Sequence, residues 1–308
     1  VSVQASPSDP NFRALIAKGQ RTVKSSLQGW GSGLLGVIIF SGSLPATRVA
    51  VADFTPLFLT SARAVIAALL ATACLAVLGQ ARPRTADLLS LAIIAIGVVI
   101  GFPLLTALAL EHITSARSIV FIGLLPLATA AFAVLRGGER PHPAFWLFSG
   151  LGSAIVVAFA ISGDSAGSLI GDLYMIAAII VCGLGYAEGA KLSRRLGGWQ
   201  VICWALVLSA PPMAALALAT LPPSWHFIGT PAWLGLAYVS VFSMLVGFVF
   251  WYRGLALGGI AGVGQLQLLQ PFFGLTLSGL VLGEPIAASM LAATAIIVVC
   301  VALARRFA

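Results

Sequence analysis

Apolar stretches of about 20 residues, each long enough to cross a bilayer, follow one another from Trp30 to Ala304 with gaps of only a few residues. Ten are counted, at roughly 30–50, 54–79, 87–110, 114–136, 143–163, 169–190, 199–220, 232–254, 260–282 and 286–304. The runs are continuous rather than alternating, which predicts helices and not strands. With 60% hydrophobic and 8% charged residues, the chain carries more apolar surface than a soluble core could absorb. The expected fold is an all-α polytopic membrane protein of ten transmembrane helices.

The gaps set the orientation. With the N-terminus cytoplasmic, Arg13, Lys18, Arg21, Lys24, Arg82, Arg84, Arg136, Arg140, Lys191, Arg194, Arg195, Arg253, Arg305 and Arg306 all fall on the cytoplasmic side. That is fourteen of the 17 basic residues, against Arg48 and Arg117 outside and Arg63 within a span. This is a positive-inside distribution, and it places both termini in the cytoplasm. The net charge of +8 is therefore an orientation signal, not a basic face for nucleic acid.

A second pattern is internal. Ser115 to Glu139 and Ile260 to Glu284 are both long apolar segments with a central proline and a terminal Gly-Glu. Pro126 and Glu139 match Pro271 and Glu284 at an offset of 145 residues. Five spans per half is an odd number, so the second half enters the membrane inverted. The expected organisation is a cytoplasmic tail at 1–28, a first five-helix repeat at 29–163 and a second, inverted repeat at 164–308. Phe12, Leu15 and Ile16 give the tail either a short surface helix or a disordered arm. A proline inside an apolar span leaves a carbonyl without its helical partner, so Pro126 and Pro271 are candidate hinges.

Catalytic signatures are lacking: there is no HExxH, no GxSxG and no paired acids at mid-membrane. The Gly183–Ser193 run lacks an adjacent Gly-Lys, so ATP drive is unsupported. Cys74, Cys182, Cys203 and Cys300 are single and lie inside apolar spans, as packing residues rather than a disulfide or metal set. No cofactor is implied. Glu188 stands three residues before Lys191 near a span end, which reads as an interfacial ion pair.

Arg63 is the most informative single residue. It lies about ten residues into the second span, near mid-membrane by the helical rise. A charge there faces a partner or a wet cavity, so it either meets a bound carboxylate or hydrogen-bonds helix ends. Gln267 and Gln270 flank Pro271, three residues apart, and suit a polar head group, the freed carbonyl or interhelical contact. Phe40, Phe102, Tyr186 and Trp251 either line an aromatic cavity or pack against neighbours and lipid. Ser41, Ser43, Thr106 and Ser243 add hydroxyls near these positions.

The runs LLPLATAAFAVLRGGE and LLQPFFGLTLSGLVLGE, the Arg within TSARAVIAALL and the inverted five-helix halves resemble the drug/metabolite transporter superfamily, EamA type. The resemblance covers about residues 29 to 306. It implies a bacterial inner-membrane carrier that exports small metabolites through a cavity between spans one to four and six to nine, with five and ten outside. The aromatic interior is most similar to the YddG-type amino-acid exporters. Leu208 stands where the offset would place a second Arg63, so that feature is not duplicated.

The resulting expectation is a secondary carrier for amphipathic or aromatic amino acids, working by alternating access and taking a small-molecule substrate from a lipid environment, without ATP or nucleic acid. A carrier for a sugar, nucleoside or cationic drug is the alternative. A channel would want a ring of like charges, a membrane enzyme an acid or His cluster, and a purely structural protein no intramembrane arginine.

Overall fold

The computed structural model describes residues 27–137, 142–161, 168–258 and 263–307. The basic residues Arg13, Lys18, Arg21 and Lys24, with Phe12, Leu15 and Ile16, Gly138, Glu139, Arg140, Asp164, Ile260 and Gly262, lie outside the described residues. All regular structure among the described residues is helical. Seven of these helices are long and apolar enough to span a membrane. They are α1 (Leu27–Ala50), α2 (Pro56–Val77), α3 (Thr85–His112), α4 (Ser115–Leu135), α6 (Leu169–Leu196), α7 (Gly198–Ala219) and α8 (Thr230–Leu255). The described residues also include three further apolar helices: α5 (Pro143–Ile161), α9 (Leu266–Leu282) and α10 (Ala288–Arg306).

The surface is inverted relative to a soluble protein. Leu69, Leu89, Leu135, Leu218 and Leu280 point outward and are at least two-thirds exposed, as lipid-facing positions require. The interior contains Thr47, Ser61, Arg63, Arg117, Asp172 and Glu188. Packing pairs α2 with α7, α3 and α4 with α6, α1 with α8, and α5 with α10. Glycines permit the closest approaches, as membrane interfaces favour: a Cβ on Gly97 of α3 would lie 2.5 Å from the Val181 carbonyl oxygen of α6, and one on Gly254 of α8 would lie 2.6 Å from the Gly33 amide of α1.

Several helices depart from α geometry where they approach the centre. In α1 the α-helix restarts at Ser43 after a turn at Gly42, which accommodates Pro45 and its missing N–H. α4 is interrupted at Gly123–Leu124 and restarts at Leu125. A 3₁₀ stretch, Gly264–Leu269, leads into α9, which becomes α-helical at Gln270. Pro126 and Pro271 therefore sit in the first turn of a new α segment, where proline is tolerated, not at the centre of a continuous helix. The carbonyl of Gln267, which the ring of Pro271 deprives of its usual partner, accepts the Gln270 backbone N–H instead.

α3 and α8 each contain a π-helical stretch, Ala95–Gly101 and Tyr238–Val246. Shifted by the 145-residue offset, 95–101 falls on 240–246, inside the second stretch. Wide π turns re-aim side chains and gather at functional sites, and both stretches border the same cavity.

Candidate functional site

A small enclosed cavity, about 30 Å3, lies at the centre of the bundle. Its walls are Phe40, Ser43 and Leu44 of α1; Arg63 of α2; Val98, Phe102 and Pro103 of α3; Ile122 and Leu125 of α4; Cys182 and Tyr186 of α6; Ser243, Met244 and Phe248 of α8; and Gln270 of α9. The breaks and π turns described above are the reason so many helices converge there. Ser43 begins the second half of α1. Ser243 belongs to the π stretch of α8. Gln270 starts the α-helical part of α9.

The polar part of the wall is a short chain of contacts. The Arg63 Nη2 donates to Ser243 Oγ at 3.3 Å. Ser243 Oγ in turn shares a hydrogen bond with Ser43 Oγ at 2.7 Å. Arg63 is 5% exposed, and among the described residues its Nε has no hydrogen-bond partner and it makes no salt bridge. Gln270 Oε1 also lacks a partner among the described residues.

The apolar part is an aromatic corner. Phe40 and Phe248 meet edge-on with centroids 4.8 Å apart, and Tyr186 stands edge-on to Phe248 at 6.0 Å. Trp251 backs this corner, 6.5 Å from both Phe40 and Tyr186. Such edge-to-face sets are rigid, apolar and suited to a flat or aliphatic side chain.

Phe40, Ser43, Arg63, Phe102, Tyr186, Ser243 and Gln270 thus converge on one space. Ser41, Thr106, Trp251 and Gln267 do not line it. Ser41 Oγ is held by the Val37 carbonyl at 2.7 Å and reaches the Gln270 carbonyl at 3.4 Å. Thr106 Oγ1 bonds back to the carbonyls of Phe102 and Pro103. Gln267 is buried behind the wall, its Nε2 without a partner among the described residues.

Phe248 and Cys182 were not among the expected site residues. Phe248 occupies the offset position of Pro103 on α3, whereas the expected Phe102 maps to Gly247, so the repeat did not single it out. Cys182 reads from sequence as simple packing. Glu188 is buried, at 1% exposure, while Lys191 is exposed. One other reading changes. Cys74 is exposed on the outer surface, unlike the other three cysteines.

A larger groove of about 440 Å3 lies on the outside of the bundle, between α1, α8 and α9. It offers nothing to orient a solute: its walls are apolar, and the Tyr238 hydroxyl is donated to the Ile39 carbonyl at 2.8 Å. The central cavity, with its arginine, hydroxyls and amide, is the candidate site.

The comparisons with known proteins point to a transporter family. The model of the EamA-like transporter family matches twice, at residues 28–161 and 169–306. The chain belongs to the EamA-like transporter family. It is a membrane transporter of the drug/metabolite transporter superfamily. This EamA-type transporter is 63% identical over 286 residues to the "Uncharacterized transporter YdeK" of Bacillus subtilis (strain 168), covering 93% of this chain and all of that one. It is 23% identical over 254 residues to the "Probable terminal-alkyne amino-acid exporter" of Streptantibioticus cattleyicolor, covering 82% and 84%. A crystal structure that it matches with a TM-score of 0.62 and 20% identity, over 92% of this chain and 99% of that one, shares its fold.

Proposed function

We propose that this EamA-type transporter is a secondary carrier exporting amphipathic or aromatic amino acids across the bacterial inner membrane by alternating access. Ten spans form two inverted five-helix repeats, at 29–163 and 164–308, with both termini cytoplasmic. The carrying observation is Arg63: a buried guanidinium at the wall of the central cavity whose one hydrogen bond goes to a serine hydroxyl. A substrate carboxylate is the partner that this donor set fits, because a planar guanidinium binds carboxylate through two parallel bonds.

Ser43 and Ser243 hold the carboxylate end through the Arg63 contact. The free carbonyl oxygen of the Gln270 side chain accepts from the substrate ammonium. Phe40, Phe102, Tyr186 and Phe248 receive the side chain. Trp251 and Gln267 support that wall from behind. The name of the Streptantibioticus relative points to the same substrate class. A cationic drug is disfavoured because it would meet a buried positive charge.

The cavity has room for one or two waters at roughly 30 Å3, so an amino acid enters only when helices part. The breaks before Pro126 and Pro271 and the paired π stretches are where α4, α9, α3 and α8 deform. The test is uptake of labelled phenylalanine into proteoliposomes by wild type, Arg63→Lys and Arg63→Gln. Saturable uptake, weakened in Lys and lost in Gln, is expected. Full uptake by Arg63→Gln would overturn the carboxylate assignment, and no uptake by folded wild type would overturn the amino-acid one.

A further inference from the structure

We infer that this carrier is an exchanger: it returns across the membrane far faster with a carboxylate substrate bound than empty, so that one substrate enters as another leaves. The inference rests on the carrier reading above and adds the transport mode.

Among the described residues two arginines are buried, and their partners differ. Arg117, at 0% exposure, is matched by Asp172: its Nε donates to Oδ1 at 2.9 Å and its Nη2 to Oδ2 at 2.7 Å. That pair is the fork-to-fork geometry a buried guanidinium requires. Arg63 is comparably enclosed, yet among the described residues it makes no salt bridge and a single side-chain hydrogen bond, to Ser243. Five N–H donors need acceptors. One serine hydroxyl, itself shared with Ser43 at 2.7 Å, is a poor substitute for a carboxylate.

The space beside Arg63 decides the consequence. A cavity of about 30 Å3 holds at most one or two waters, too few to hydrate a guanidinium. Any alternating-access cycle passes through a state closed on both sides. An empty carrier must therefore close around an uncompensated cation in low dielectric, which is costly. A carrier closing around a carboxylate brings the counter-charge with it and regains bidentate hydrogen bonds. The empty return is then the slow step, and exchange bypasses it.

The experiment compares initial rates of labelled phenylalanine uptake into proteoliposomes that are either empty or preloaded with unlabelled phenylalanine. Phenylalanine is net neutral at pH 7, so no diffusion potential opposes net entry into the empty ones. Preloading is expected to raise the rate at least about tenfold. In Arg63→Gln, whose side chain carries no charge to compensate, the ratio of the two rates should fall toward one. Ser243→Ala keeps the charge and removes its hydrogen bond, so its ratio should hold or rise. This second variant decides the matter if Arg63→Gln does not fold, since a falling ratio in Ser243→Ala would contradict the mechanism. Equal rates with and without preloading in wild type would overturn exchange and leave the carrier intact. No uptake under either condition would remove the carrier reading, and exchange with it.

Discussion

Glu284 caps the helix that begins at Ser115. Its carboxylate accepts from the Ser115 backbone N–H at 3.1 Å, the Ser115 hydroxyl at 2.7 Å and the Ala116 backbone N–H at 2.8 Å. The first N–H groups of a helix have no partner of their own, and they carry the positive end of the helix dipole. The cap therefore joins the end of α9 to the start of α4. Gly283 makes it reachable: its left-handed conformation, φ 63°, ends α9 and turns the chain toward α4. Ser278 Oγ, 2.7 Å from Ser115 Oγ, adds a second link between the same helices.

Glu284→Ala should lower stability by about 2 kcal/mol, at the upper end for a lost cap because the acceptor is charged and takes three donors. Glu284→Gln should fall between Ala and wild type, since it keeps an acceptor and loses the charge. Thermal unfolding in detergent, followed by tryptophan fluorescence, checks both. Identical loss in Gln and Ala would mean that only the charge matters.

The Arg117–Asp172 pair ties α4 to α6 with both side chains buried. Asp172→Asn leaves the guanidinium without its counter-charge, and roughly 3–5 kcal/mol of stability should be lost. Replacing both, Arg117→Met with Asp172→Leu, should recover most of that, because apolar side chains of similar volume avoid the desolvation cost. The folded fraction after mild heating measures the difference. A double variant as unstable as the single one would assign the role to shape rather than charge.

The helices were legible in the sequence because bilayer thickness fixes their length. The apolar run at 114–136 corresponds to the helix Ser115–Leu135, and that at 199–220 to Gly198–Ala219. Arg63 was legible because a charge deep in an apolar run has few explanations. What escaped was tertiary. Glu284 reads as the end of α9, and nothing local says that its partner lies 169 positions earlier. Pro126 and Pro271 read as kinks within helices, yet each starts a segment, because Gly123 and the 3₁₀ stretch absorb the break upstream. The π stretches have no signature in residue type.

Gly97 gives a test of helix contact. A Cβ there would lie 2.5 Å from a backbone oxygen of α6, and one on Gly185 would lie 2.6 Å from Val98 Cγ2. Gly97→Ala should therefore cost about 1–3 kcal/mol through overpacking and reduce transport, since Val98 lines the cavity. Gly150→Ala, with nothing within 4 Å of the added carbon, should be neutral or slightly stabilising. If both variants behaved alike in melting and uptake, close packing of the π stretch against α6 would be refuted.

Pro271→Ala probes the deformation of α9. The substitution supplies an N–H that can take the Gln267 carbonyl, now used by the Gln270 N–H. A continuous α-helix through 264–282 then becomes cheaper, and the bend becomes costlier to re-form. Gln270 stays in the chain, so substrate contacts in the cavity are retained. Turnover should fall several-fold while substrate affinity changes by less than about twofold, the pattern of a lost conformational step rather than lost binding. Tryptophan-quenching titration gives the affinity, and initial rates in proteoliposomes give the turnover. Equal loss of both would make Pro271 a structural residue and move the hinge to the π stretches of α3 and α8.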